Sequence, residues 1–138
     1  MTVPEASTLE PVLQEFIDRT IHNCNFSHHQ HVFVIWSLVK RLGTLPAISL
    51  FEENLKRITE AEGAPEKYHA TVTHALGVAV GELIAGAPDA SWEEFAEANP
   101  EMFEWPSPLL ERMYPNGELD SDDARARFVL PAPIADAS

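Results

Sequence analysis

The chain has 138 residues, with 22 Asp and Glu against 9 Lys and Arg and a formal charge of −13. A field of that sign repels nucleic acid, because phosphate binding needs clustered cations. With 45% hydrophobic and 22% charged residues the composition is globular and the chain long enough to bury a core, while no apolar run approaches the roughly 20 residues that span a bilayer.

The first predicted helix covers about 9–22, after a frayed arm, with Ser7 or Thr8 as its cap. Leu9, Val12, Leu13, Phe16, Ile17 and Ile21 recur at helical spacing on one face, and Pro11 fits in the first turn. Asn23-Cys24-Asn25 breaks the pattern. Ser27 with Gln30 then forms a capping box for a second helix, apolar over a wide arc through Val32, Phe33, Ile35, Trp36 and Val39 and therefore central. Lys40 and Arg41 suit its last turn and Gly43 its end. A third helix follows, capped by Thr44, with Pro46 in its first turn and a buried stripe of Ile48, Phe51, Leu55 and Ile58. Gly63 and Pro65 punctuate a turn before a fourth helix over about 66–85, striped by Tyr68, Val72, Leu76, Val80 and Leu83. Gly77 and Gly81, four apart, permit close helix approach. Ser91 with Glu94 caps a short helix to about 98.

Beyond Asn99 the chain becomes rich in proline, with short helical pieces expected at about 108–113 and 121–128. It reads as a wrap anchored by Phe103, Trp105, Leu109, Met113, Tyr114 and Phe128, with the last ten or so residues partly loose. The expected fold is all-α: an irregular antiparallel four-helix bundle with a Pro-rich C-terminal wrap containing short helices. It would be a single domain over 1–138, with its core at about 8–114 and a wrapping tail at 115–138.

Chemistry concentrates in His22 to Trp36, HNCNFSHHQHVFVIW, which holds four of the six histidines and the single cysteine. His28 and His31, spaced i, i+3, share one side of the second helix. Both sit in its first turn, where the positive end of the helix dipole disfavours imidazolium and leaves neutral, ligand-competent rings. A third donor is expected from His69, if the N-terminal ends of helices two and four meet. Glu66, three residues before His69, is placed to be a carboxylate ligand or to orient one. His74 lies about 140° round the helix from His69 and would not share an ion with it, and His29 is expected to face solvent. A compact alternative draws on His22, Cys24, His28 and His31, although Cys24 reads more simply as a buried small apolar residue. Trp36, Trp92 and Trp105 are expected as core anchors, and Glu93, Glu94 and Glu97 as a solvated face. One cysteine allows no internal disulfide and no CxxC site, and no P-loop, GxGxxG, GxSxG or HExxH occurs.

The stretches FSHHQHVFVIW, GAPEKYHATVTHA, FEWPSPLLERMY and SDDARARFVLP, in this order, resemble a widespread group of uncharacterised small bacterial helical proteins. The shared outline is FxHxxH opening one helix, YHxTxT opening a later one, and a tail ending in ARxxFVxP, over about 26–133. The resemblance implies that His28, His31, Tyr68, His69, Thr71 and Thr73 occupy motif positions, and that His29 and His74 do not. Ala75-Leu76 stands where the group is expected to carry a bulky aromatic, which implies a more open pocket.

The leading expectation is a cytoplasmic protein, since MTVPEASTLEPV has no signal-peptide pattern, with a histidine-lined pocket between helices two and four. There His28, His31 and His69 would hold one divalent transition metal for oxidation or hydrolysis of a small-molecule substrate. Three histidines suit zinc or copper; recruiting Glu66 would suit iron. The first alternative is metal-free acid–base catalysis by His69, activated by Tyr68 or Glu66, with His28 or His31 as partner. The second is a non-catalytic binding or accessory protein with a protein partner, and the weakest is binding of a small anion at the paired helix N-termini.

Overall fold

The computed structural model of the chain describes residues 3–22, 26–105, 107–115 and 117–131. Cys24, Pro106, Pro133 and most of the C-terminal stretch expected to be loose lie outside them. The described residues form seven α-helices and three short 3₁₀ turns, with no β-strand among them, and no helix is long and apolar enough to cross a membrane.

The first helix, α1 (Ala6–Ile17), starts earlier than its Ser7 and Thr8 suggest and has no side-chain cap. Its end is also early, because Arg19 turns into the left-handed region at φ 59°. Ile21 is nonetheless buried beyond the helix, beside Leu9, Leu13 and Phe16. Pro11 stands inside the helix rather than in its first turn. Asn54 of the third helix fixes this end by donating to the Phe16 carbonyl at 3.2 Å.

The central helix, α2 (His28–Leu42), has the expected capping box, with Ser27 accepting from the Gln30 N–H and Gln30 reaching back to the Ser27 N–H. Gly43, at φ 88°, ends it. Seven of its residues are buried, so α2 packs against α1, α3 (Thr44–Ala61) and α4 (Ala70–Gly86) at once. The α3 stripe Ile48, Phe51, Leu55 and Ile58 is buried as its spacing requires.

Between α3 and α4 the chain departs from expectation. Pro65–Lys67 is a separate 3₁₀ turn, and Tyr68 and His69 are extended. Helix α4 therefore begins at Ala70, and His69 is its N-cap, accepting the Val72 N–H on Nδ1 at 3.2 Å. The Ser91–Glu94 capping box opens α5 (Trp92–Ala98), whose Trp92 is buried against Phe33, Trp36 and Phe103. Trp92 also donates to the Pro4 carbonyl at 3.0 Å, tying down the N-terminal arm.

The tail carries α6 (Pro108–Met113) and α7 (Asp122–Ala126) and lies along α4. Thr71, wholly buried, clasps it: the hydroxyl donates to the Arg127 carbonyl and accepts from the Val129 N–H, both at 3.0 Å. Tyr114 donates to the Val129 carbonyl at 2.6 Å. Thr71→Val keeps the shape of the side chain and removes both bonds. We expect a loss of about 2 kcal/mol, read as a lower denaturation midpoint with faster amide exchange at Val129; an unchanged midpoint and exchange rate would show that the clasp carries no weight.

Candidate functional site

The N-terminal ends of α2 and α4 face one cavity of about 450 Å³. His28, His31 and His69 all line it, with Phe26, Phe51, Leu55 and Leu76 supplying apolar wall. The three imidazoles are in different states. His28 Nε2 donates to the Met102 carbonyl at 2.8 Å, and its ring lies 5.1 Å from that of Trp105. Burial lowers its pKa, partly opposed by that carbonyl, so the ring is neutral near pH 7 and its Nδ1 carries the lone pair.

His31 lies under Phe26, ring centroids 3.9 Å apart, with Phe51 meeting it edge-on at 6.2 Å. Burial, aided by His28, pushes its pKa down to about 3. Its Nε2 is buried and has no hydrogen-bond partner among the described residues, while the residue as a whole keeps some surface. An unpaired buried nitrogen costs on the order of 1–3 kcal/mol, a penalty that a bound group with a complementary atom would remove.

Both nitrogens of His69 are occupied. Nδ1 caps α4, and Nε2 donates to the Leu119 carbonyl at 2.7 Å. That pair of bonds defines the tautomer and leaves no lone pair for a metal. Among the described residues no group of three or more His, Cys, Asp or Glu is arranged to hold a metal ion. His28 has one nitrogen secured by a carbonyl, as metal-ligating imidazoles do.

Tyr68 and Glu66 do not join these histidines in the cavity. Glu66 is exposed in the 3₁₀ turn, because the helix on which it was to stand three residues before His69 has not yet begun. Tyr68 instead lines a cavity on the other side of α4, with Glu52, His74 and Phe128. Burial there, reinforced by Glu52, pushes its phenol up to about 12. His74 pairs with Glu52 at 2.6 Å and lies 4.2 Å from the Phe128 ring, so it joins α3 to the tail. His29 is half-buried rather than solvent-facing, edge-on to Phe103 at 5.6 Å.

Sequence reasoning missed three lining residues. Trp105, expected as a core anchor, is 58% exposed and forms part of the cavity wall. Lys67 and Arg125 stand at the same cavity, both exposed. Lys67 sits directly before the Tyr68-His69 motif, which was a usable signal. Arg125 arrives from α7; the ARxxFVxP outline includes it, but nothing in the sequence says which cavity it reaches.

Comparison with protein-family models, with curated proteins and with solved structures gave no match for this chain.

Proposed function

We propose that this chain binds a small molecule in the cavity between the N-terminal ends of α2 and α4 without a metal, and that proton transfer to or from the ligand runs through His28. The observation that carries the reading is the difference among the three imidazoles. His69 is committed at both nitrogens to holding α4 and the tail together. His31 has an unpartnered Nε2 in the wall and stays neutral, which suits a hydrogen bond to a ligand. His28 is neutral, anchored by Met102, and keeps a basic Nδ1. His69 is thus a positioning residue, and Tyr68 and Glu66 have no part in this reading.

One observation favours a second reading, in which zinc, copper or iron is held by His28 and His31: the unpaired His31 nitrogen lies one turn after a carbonyl-anchored imidazole. Metal analysis of untagged protein, together with nitrogen-15 spectra of the histidine rings, separates the two. The metal-free reading expects no stoichiometric metal and a His69 signal of the Nε2–H tautomer. A stoichiometric metal that disappears in both His28→Ala and His31→Ala would overturn it.

A further inference from the structure

We propose that the ligand of this cavity is an organic anion, a carboxylate or phosphate on an apolar body, with its charged end held at the mouth by Lys67 and Arg125. The inference rests on the small-molecule reading above and names the class of ligand.

Charge carries the argument. The chain has 22 acidic residues to 9 basic ones, yet the cavity wall includes two cations and no carboxylate. The other cavities described are each lined by at least one Asp or Glu, including the adjoining one that shares His69, Val72, Trp105 and Arg125 with this wall and adds Glu111 and Asp120. Lys67 and Arg125, like Arg19, Lys40 and Lys56, form no ion pair among the described residues, whereas Arg41, Arg57, Arg112 and Arg127 each pair with an acid. Two unpaired cations brought to one opening from segments nearly sixty residues apart, in an acidic protein, make a local field that favours an anion and rejects a cation.

The rest of the wall describes the body of the ligand. Phe26, Phe51, Leu55 and Leu76 are buried and apolar, and the exposed Trp105 offers a flat aromatic face beside His28. A free inorganic ion would leave this surface unused. The volume, about 450 Å³, falls in the range of small-molecule sites. His31 belongs to the same wall, its Nε2 buried and without a partner among the described residues. The predicted ligand is therefore amphipathic: anionic at one end and apolar along its length.

The test uses three matched probes, 3-phenylpropionate, 3-phenylpropionamide and 3-phenylpropylamine, with inorganic phosphate alone as a fourth. Binding is followed on the Trp105 indole signal, assigned through Trp105→Phe, and on the His28 and His31 ring signals. The carboxylate is expected to bind at least about tenfold more tightly than the amide, and the amine most weakly. Lys67→Gln and Arg125→Gln, both exposed and neutral to the fold, should each remove most of that preference while leaving amide binding unchanged. Equal binding of amide and carboxylate would overturn the anion assignment and leave the small-molecule reading standing. Phosphate binding as tightly as the carboxylate would overturn the amphipathic ligand. If no probe moves the Trp105 or histidine signals, both readings fall.

Discussion

Lowering the pH from 7 to 4.5 destabilises the folded chain by about 2–3 kcal/mol through His31 alone, and His31→Leu abolishes that part of the loss. In the unfolded chain the ring takes up a proton near its ordinary value of 6.5, whereas in the fold it waits until about 3. Between those values the unfolded state binds the extra proton. The stability is therefore complete above pH 6.5 and drains away as the pH falls towards 3, at about 1.4 kcal/mol per unit. Protonation of carboxylates bends the same curve, so the informative quantity is the difference between the native chain and His31→Leu. At pH 7 the leucine variant should be as stable as the native chain or more so, since it removes a buried nitrogen with no partner. At pH 4.5 its advantage should widen by the amount given, and parallel denaturation curves at the two pH values would show that His31 is not held neutral.

Gly81→Ala is the second large effect, at about 2 kcal/mol of destabilisation, rising to about 3–4 with Gly77→Ala. Helices α3 and α4 run antiparallel here, with Thr44 opposite Gly81 and Ile48 opposite Gly77. A methyl group on Gly81 would come within 2.6 Å of Thr44 Oγ1 and 2.7 Å of its Cγ2, so turning the threonine side chain merely exchanges one clash for the other. On Gly77 it would meet Ile48 Cγ1 at 2.6 Å. The gain in helix propensity, at most about 1 kcal/mol, is too small to offset this crowding. Gly86→Ala is the internal control, because nothing lies within 4 Å of its added carbon. Urea midpoints for the three variants decide the matter: if Gly81→Ala matches Gly86→Ala, the close crossing of α3 and α4 is not built on these glycines. Glu52 and His74 continue the same α3–α4 register one turn further along, where their ion pair joins the two helices.

The sequence was most legible where interactions are local. Ser27 with Gln30 and Ser91 with Glu94 start their helices by bonds spanning three residues, and the α3 stripe needs only one face of one helix. It was least legible where a residue takes a role outside its usual repertoire. His69 is an uncommon N-cap, so a helix expected from about Glu66 begins only at Ala70, and Glu66 stands in the 3₁₀ turn Pro65–Lys67 instead. Arg19 turns left-handed without being glycine, and α1 stops early. For the site, the i, i+3 spacing of His28 and His31 and the meeting of α2 with α4 followed from helix geometry and bundle order. The bond from His69 to the Leu119 carbonyl spans 50 residues, and the contribution of Arg125 depends on where the tail is laid down. Neither placement can be read from neighbouring residues, although Arg125 belongs to the ARxxFVxP outline.

The clasp at Thr71 also bears on how the cavity is assembled. The histidines belong to helices that find each other through the apolar core, but the aromatic wall at Trp105 and the cation at Arg125 come with the tail. A fragment comprising 3–98 would lose those two residues, the carbonyls that Met102 and Leu119 give to His28 and His69, and the Met102 and Phe103 side chains of the core. The cavity wall is therefore finished only when both parts of the chain are in place: His28, His31, Lys67 and His69 come from residues before 98, Trp105 and Arg125 from the tail.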